Sequence, residues 1–148
     1  MYVYLVHHAE ALPAHVDAQR PLSTRGLKQA ASLADAARLH GLQPKTIWHS
    51  GKLRARQTAE AFLRACSPFA TFKMVRGLLP DDPPEWLRDA LEAEEEDVLA
   101  GGHMPHIDRL LQLLATTVAF PLNGMVALER IAPRQYREIW RLSPPEDP

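Results

Sequence analysis

His8 and His103 each stand where a short apolar run ends, in Tyr2-Val3-Tyr4-Leu5-Val6-His7-His8 and in Val98-Leu99-Ala100-Gly101-Gly102-His103. Such runs read as buried strands, and side chains at the carboxyl ends of strands in an α/β sheet face the crevice where ligands bind. A third strand end, Thr46-Ile47-Trp48-His49-Ser50, leads into the basic helical start Gly51-Lys52-Leu53-Arg54-Ala55-Arg56-Gln57-Thr58. Two imidazoles and an arginine at one sheet edge suit phosphate chemistry. A neutral imidazole is a good nucleophile near neutrality, and an N–P bond splits one hard displacement into two. The attacked phosphoryl group spreads negative charge over its equatorial oxygens, so it needs fixed cations and N–H donors around it. Arg54, in the first turn of its helix, supplies a bidentate clamp beside backbone amides. His103 forms the opposite wall and donates when protonated. On spacing alone, the alternative that both histidines are merely hydrogen-bonded crevice residues stays open.

Alternating strand and helix patterns must position these groups. After the first strand comes a polar loop, residues 11–21, and Ser23-Thr24 then caps a long helix with Leu27, Ala30, Ala31, Ala34 and Ala37 on one face and Gly41 as its stop. A strand at 45–49 precedes a helix that Ser50 caps and that runs to about Cys66, before Pro68. Strand 70–75, helix 84–94, strand 97–102 and helix 105–116 follow, with Pro105 at an early helical position where its missing N–H costs nothing. Residues 124–131 and 135–142 read as an antiparallel hairpin joined by Ala132-Pro133-Arg134. The fold class is therefore α/β, a three-layer sandwich whose mostly parallel sheet ends in antiparallel strands and is covered by helices on both faces.

With 148 residues the chain fits one domain, 1–148, and 46% hydrophobic with 24% charged residues is ordinary globular composition. A formal net charge of -1 gives no bulk electrostatic case for nucleic acid or an anionic membrane. The first apolar run has no basic segment before it and is too short for a signal peptide. The stretch 110–122 is interrupted by Gln112, Thr116, Thr117 and Pro121 and falls short of the ~20 residues that span a bilayer. A soluble cytoplasmic protein is expected. Cys66, alone, reads as a small buried hydrophobe. The acidic run 92–97 reads as a solvated helix end, and the tail 143–148 as frayed.

Four motifs in order carry a resemblance over nearly the whole chain: Leu5-Val6-His7-His8-Ala9-Glu10-Ala11; Arg20-Pro21-Leu22-Ser23-Thr24-Arg25-Gly26; Ser50-Gly51-Lys52-Leu53-Arg54-Ala55-Arg56-Gln57-Thr58-Ala59; and Gly102-His103-Met104-Pro105-His106. The chain resembles the histidine phosphatase superfamily, phosphoglycerate mutase-like in fold, and within it the small SixA-type phosphohistidine phosphatases. The resemblance implies catalytic roles for His8 as the phosphorylated nucleophile, His103 as the second histidine on the phosphoryl group and Arg54 as the phosphate-binding arginine. It adds Arg20 as a further phosphate contact. It implies no cofactor and no metal, and a phosphohistidine-bearing phosphotransfer or phosphocarrier protein, or a small phosphorylated molecule, as substrate.

The chain departs from the family's arginine-histidine-glycine pattern, reading His7-His8-Ala9. His7 replaces a permanently charged group by one with a reference pKa of about 6.5, and a neighbouring phosphate dianion favours its protonated form. If His7 binds phosphate as a cation, turnover falls as pH rises through its pKa. Ala9 fits where φ stays negative. Asp81 and Asp82, in the loop after the third strand, are the general-acid candidates, with turn formation beside prolines as the alternative reading. His49 and His106 suit packing or surface positions, with a place on the rim for His49 and behind His103 for His106. Two rival functions remain: a catalytically weak relative that binds phosphoproteins or phosphometabolites, which position 7 favours, and a metal-dependent hydrolase, which Arg54 opposes by its charge.

Overall fold

Alternation along the strands decides the layers. In the computed structural model, which describes residues 1–115 and 117–148, the chain runs β1 (Tyr2–His7), α1 (Thr24–Arg38), β2 (Thr46–His49), α2 (Leu53–Cys66), β3 (Thr71–Met74), α3 (Pro84–Glu92), β4 (Val98–Gly102), α4 (His106–Ala115), β5 (Met125–Ala132) and β6 (Gln135–Leu142). Tyr4, Val6, Ile47 and Leu99 point to one face and pack on Ala30, Leu33 and Phe62 of α1 and α2. Val3, Leu5, Trp48 and Ala100 point to the other and pack on Leu87, Leu91, Leu110 and Leu111 of α3 and α4. The central strands β1, β2 and β4 are buried on both faces because each face meets helices, whereas the edge strands β3 and β6 are largely exposed or half-buried. Phe62 is fully buried, so its replacement by alanine costs about 3–5 kcal/mol.

The described strands form one sheet in the order β3-β2-β4-β1-β5-β6. β3, β2, β4 and β1 are parallel, whereas β5 runs antiparallel to β1 and to β6. This is the α/β/α sandwich with an antiparallel edge that the alternating patterns imply. β4 separates β1 from β2, and the register pairs His7 with Gly102 and His49 with Gly101. The residues that follow these three strand ends are His8, His103 and Ser50, so the pairing itself brings them to one edge.

The element boundaries agree with the sequence pattern to within one or two residues, and the differences have local causes. In α1 the buried face is Gly26, Gln29, Ala30, Leu33, Ala34 and Ala37, while Leu27 and Ala31 are exposed. The rotation follows from Gly26: a Cβ there would lie 1.9 Å from the Glu10 carbonyl oxygen, so only glycine allows the helix to pass this close to the β1–α1 loop. Ser23 caps α1 as expected, its side chain accepting from the Gly26 N–H.

In α2 the N-cap is Lys52, without a side-chain cap, and the Ser50 hydroxyl accepts from the Lys52 N–H at 3.2 Å. Pro105 precedes α4 rather than opening it, and the expected end of that helix at Thr116 lies outside the described residues. The hairpin loop shortens to Pro133-Arg134 because Ala132 still pairs with Gln135, with Arg134 at φ 62°. Cys66 is buried and free, and burial raises its thiol pKa to about 11.

Candidate active site

His8 follows the end of β1, and its backbone is held from both sides. The His8 N–H donates to the Gly102 carbonyl at 3.1 Å, and the His8 carbonyl accepts from Asn123 Nδ2 at 2.8 Å. Its ring is fixed as well, with Nδ1 2.7 Å from the Ala9 carbonyl oxygen. A carbonyl can only accept, so Nδ1 carries the proton and the lone pair sits on Nε2. That is the tautomer a nucleophile at Nε2 requires.

The loop from β1 to α1 is pinned by side chains to which the sequence pattern had given no role. Ala9 N–H donates to Thr58 Oγ1 at 3.0 Å, Glu10 N–H to Gln29 Oε1 at 2.9 Å, and Leu22 N–H to Gln57 Oε1 at 2.7 Å. Thr58 in turn donates to the Arg54 carbonyl at 2.8 Å, which ties the strand-1 loop to the first turn of α2. Ala9 is buried and is not among the non-glycine residues of positive φ, which are Arg20, Asn123 and Arg134. Alanine therefore fits there without strain.

His103 is buried, its Nε2 2.6 Å from Ser50 Oγ and its ring centroid 5.0 Å from that of His8. His103 Nδ1 and Arg54 Nε are both buried and have no hydrogen-bond partner among the described residues. Leaving each without a partner costs about 1–3 kcal/mol, so both are available to bond an oxyanion. Arg20, at φ 50°, donates from Nε to the Leu12 carbonyl at 3.0 Å, across the Ala11–Leu22 bridge that closes its loop.

The electrostatics describe the same convergence. Burial above all, with Arg54 and Arg20, lowers the His8 pKa to about 4 against the raising effect of the bond to Ala9. Burial lowers His103 to about 3, with His8, Arg54, His7 and Lys52 adding to the effect. Burial, then Arg20, lowers Arg54. No carboxylate acts on any of these three groups, so the site is short of negative charge and its histidines are neutral.

His7 also joins the cluster, its ring centroid 4.6 Å from that of His8. Burial lowers its pKa to about 3, with His8 and Arg54 contributing, and its Nδ1 accepts from the Asn123 backbone N–H at 2.8 Å. The protonated His7 expected at the phosphate is therefore not the form this structure holds: Nδ1 is already occupied as an acceptor.

Asp81 and Asp82 are not bonded to the histidines. Asp82 Oδ2 accepts from the Leu79 N–H at 3.0 Å in a turn, and Asp81 is exposed. Asp82 does line a cavity of about 440 Å³ shared with Ser50, Arg76, Leu79 and Trp86, which lies beside the His103 contact. His49 is buried, accepting at Nδ1 from the Gly51 N–H, and His106 is fully buried in the first turn of α4. His15 and His40 are exposed. Ser50 and Asn123 are the site-forming residues that sequence reasoning missed. In sequence Ser50 signals only a helix cap, and Asn123 carries only the weak signal of an asparagine before glycine. Among the described residues no group of three or more His, Cys, Asp or Glu is arranged to hold a metal ion, and no helix is long and apolar enough to cross a membrane.

Residues 3–78 match the family pattern described as histidine phosphatase superfamily (branch 1). That segment includes His8, Arg20 and Arg54, and His103 lies beyond it. Comparison with the curated proteins gives no significant match. Among solved structures, the protein histidine phosphatase SixA complexed with tungstate is similar with a TM-score of 0.87 at 22% identity over 97% of each chain. SixA from Agrobacterium tumefaciens gives 0.81 at 26% identity, again over 97% of each chain. The alpha-ribazole phosphatase from Shigella flexneri gives 0.72 at 16% identity, over 94% of this chain and 95% of its own.

Proposed function

The chain belongs to the histidine phosphatase superfamily, and on that premise we propose that residues 1–148 form one domain hydrolysing phosphate groups without a metal, through a phospho-His8 intermediate. The observation that carries this reading is a nucleophile with its lone pair fixed on Nε2, set among basic side chains that no carboxylate neutralises. Nε2 attacks phosphorus, and an N–P bond forms as the bond to the leaving group breaks. Arg54, Arg20, His103 and His7 hold the equatorial oxygens while the charge spreads. Water then adds its oxygen to phosphorus, the N–P bond breaks, and inorganic phosphate leaves a neutral His8.

Protein phosphohistidine is the substrate class we favour, carried by a phosphotransfer or phosphocarrier protein. A phosphorylated imidazole protonated on its other nitrogen departs as neutral imidazole, so it needs no general acid. That suits a site where Asp82 is engaged in a turn and Asp81 faces solvent. The likeness to SixA structures, one of them of a protein histidine phosphatase, supports the same choice. An arginine inside the histidine cluster disfavours a divalent cation there.

The test is phosphate release from a phosphohistidine-bearing phosphocarrier and from a generic phosphomonoester, with trapping of acid-labile phosphate on His8. Faster release from the phosphocarrier is expected. Preference for the phosphomonoester would reassign the substrate to a small metabolite. Tight binding of either compound with no release and no trapped phosphate would make the protein a binding relative.

A further inference from the structure

Asn123 sits at φ 55°, a left-handed conformation that asparagine tolerates better than most residues, in the segment between α4 and β5. It makes two bonds to adjacent residues of β1 and its end. Its backbone N–H donates to His7 Nδ1 at 2.8 Å, and its side-chain Nδ2 donates to the His8 carbonyl at 2.8 Å. The His7 N–H donates to the Gly124 carbonyl at 2.9 Å, which fixes the same segment from the other side.

A backbone amide can only donate, so His7 Nδ1 must accept, and a neutral His7 then carries its proton on Nε2. We propose that Asn123 is a positioning residue which locks His7 as a neutral Nε2–H donor toward the phosphoryl group, so that His7 binds phosphate without needing to be protonated. This rests on the reading of the crevice as a phosphatase site.

The geometry accounts for a histidine at a position where the family carries arginine. Protonating His7 would place an N–H against the Asn123 N–H and break their bond. The charged or titratable groups that face His7 are His8 beside it, Arg54 from α2 and His103 after β4. None of them is a carboxylate that would favour an imidazolium. A neutral donor adds a directed hydrogen bond to a crevice that already holds Arg54 and Arg20, and adds no further positive charge. The clamp is weaker than a guanidinium, and it does not titrate in the working range.

Ring-nitrogen NMR of His7 in the full chain tests the lock, with and without inorganic phosphate. Nδ1 bare and Nε2 protonated is expected from about pH 5.5 to about pH 8.5. An imidazolium, or the opposite tautomer, overturns the proposal whether or not the protein is a phosphatase. Asn123→Gly keeps the backbone N–H and the positive φ, so His7 should keep its tautomer in that variant. Asn123→Val, whose β-branched side chain disfavours φ 55°, displaces the N–H; it should let His7 populate both tautomers and weaken phosphate about threefold to tenfold, the scale of one neutral hydrogen bond. An unchanged tautomer and affinity in Asn123→Val removes Asn123 from the positioning role.

His7→Gln, whose amide N–H stands in for Nε2–H, should bind phosphate about tenfold tighter than His7→Leu at every pH tested. Equal affinity in the two overturns His7 as a donor. An alkaline fall in phosphate affinity that vanishes in His7→Arg means that His7 binds as a cation, which overturns the proposal and leaves the phosphatase reading standing. Absence of any phosphate binding in the wild type, with the tautomer as expected, sinks the phosphatase reading and the donor role while leaving the lock.

Discussion

The crevice at the carboxyl end of the sheet and the β5–β6 hairpin at its edge treat their basic residues in opposite ways. On the hairpin, Arg137 Nη2 lies 2.6 Å from Glu129 Oε1 and Arg141 Nη2 lies 2.7 Å from Glu138 Oε1. The Glu138 bond raises the Arg141 pKa, and Arg141 holds Glu138 below the usual carboxylate range. In the crevice, burial and Arg20 lower Arg54, and burial and neighbouring cations lower His7, His8 and His103. The chain has 18 acidic residues against 17 Lys and Arg, so carboxylates are available and are simply kept out. Paired cations hold a surface together at modest gain. Basic groups without a counter-charge suit an anionic phosphoryl group, and the fold bears the cost of keeping them there.

Removing the nucleophile is the severest way to break this contrast. His8→Ala should lower phosphate release about a thousandfold or more, ~4 kcal/mol in activation free energy, with circular dichroism unchanged. A folded variant retaining a tenth of the activity would place the chemistry elsewhere.

Arg54 carries the next effect. Arg54→Ala should weaken inhibition by phosphate, tungstate or vanadate by about 1.5–3 kcal/mol, the scale of a charge-assisted hydrogen bond, read as a shift in inhibition constant. Equal oxyanion affinity in the variant would mean that the crevice is not the anion site.

Acid titration sharpens the comparison because the hairpin and the crevice respond to pH for different reasons. For His7, His8 and His103 the folded pKa, about 3 or about 4, lies below the unfolded value of 6.5. Between these values the unfolded chain binds more protons, so their burial leaves stability untouched above about pH 6.5 and erodes it as pH falls toward about 4. The loss is on the order of 1–2 kcal/mol per histidine at about pH 5. Thermal unfolding at about pH 7 and about pH 5 measures it, and His103→Gln should flatten the slope. Inorganic phosphate should restore part of the lost stability, because it binds the folded crevice and not the unfolded chain. A slope unchanged by His103→Gln would mean that the acid sensitivity belongs to the carboxylates instead.

The smallest effect is expected on the hairpin. Its ion pairs are exposed or half-buried, and Arg137→Ala should cost about 0–1 kcal/mol in urea unfolding, less in high salt, with phosphate release unchanged. A larger loss would show that the hairpin charges organise the sheet edge.

Much of this was legible in the chain alone. Apolar runs ending in His8, Ser50 and His103 marked the strand ends, and the helix and strand order followed from periodicity, because a strand buried on both faces has little sequence freedom. The position of Arg54 in the first turn of its helix was equally plain. The rotation of α1 was not, since it depends on how closely Gly26 passes the Glu10 carbonyl, a contact between residues sixteen positions apart in sequence.

The protonation of the histidines was beyond the sequence as well. The sequence by itself determined which residue types reach the crevice, because strand order and local patterning place them there. Only the tertiary structure decided their proton positions: Ala9 puts the lone pair of His8 on Nε2, and Asn123, 116 residues from His7, puts the proton of His7 on its own Nε2. A ring nitrogen takes its state from whichever donor or acceptor the folded chain brings against it, and the partner that decides His7 is distant in sequence and adjacent only in the fold.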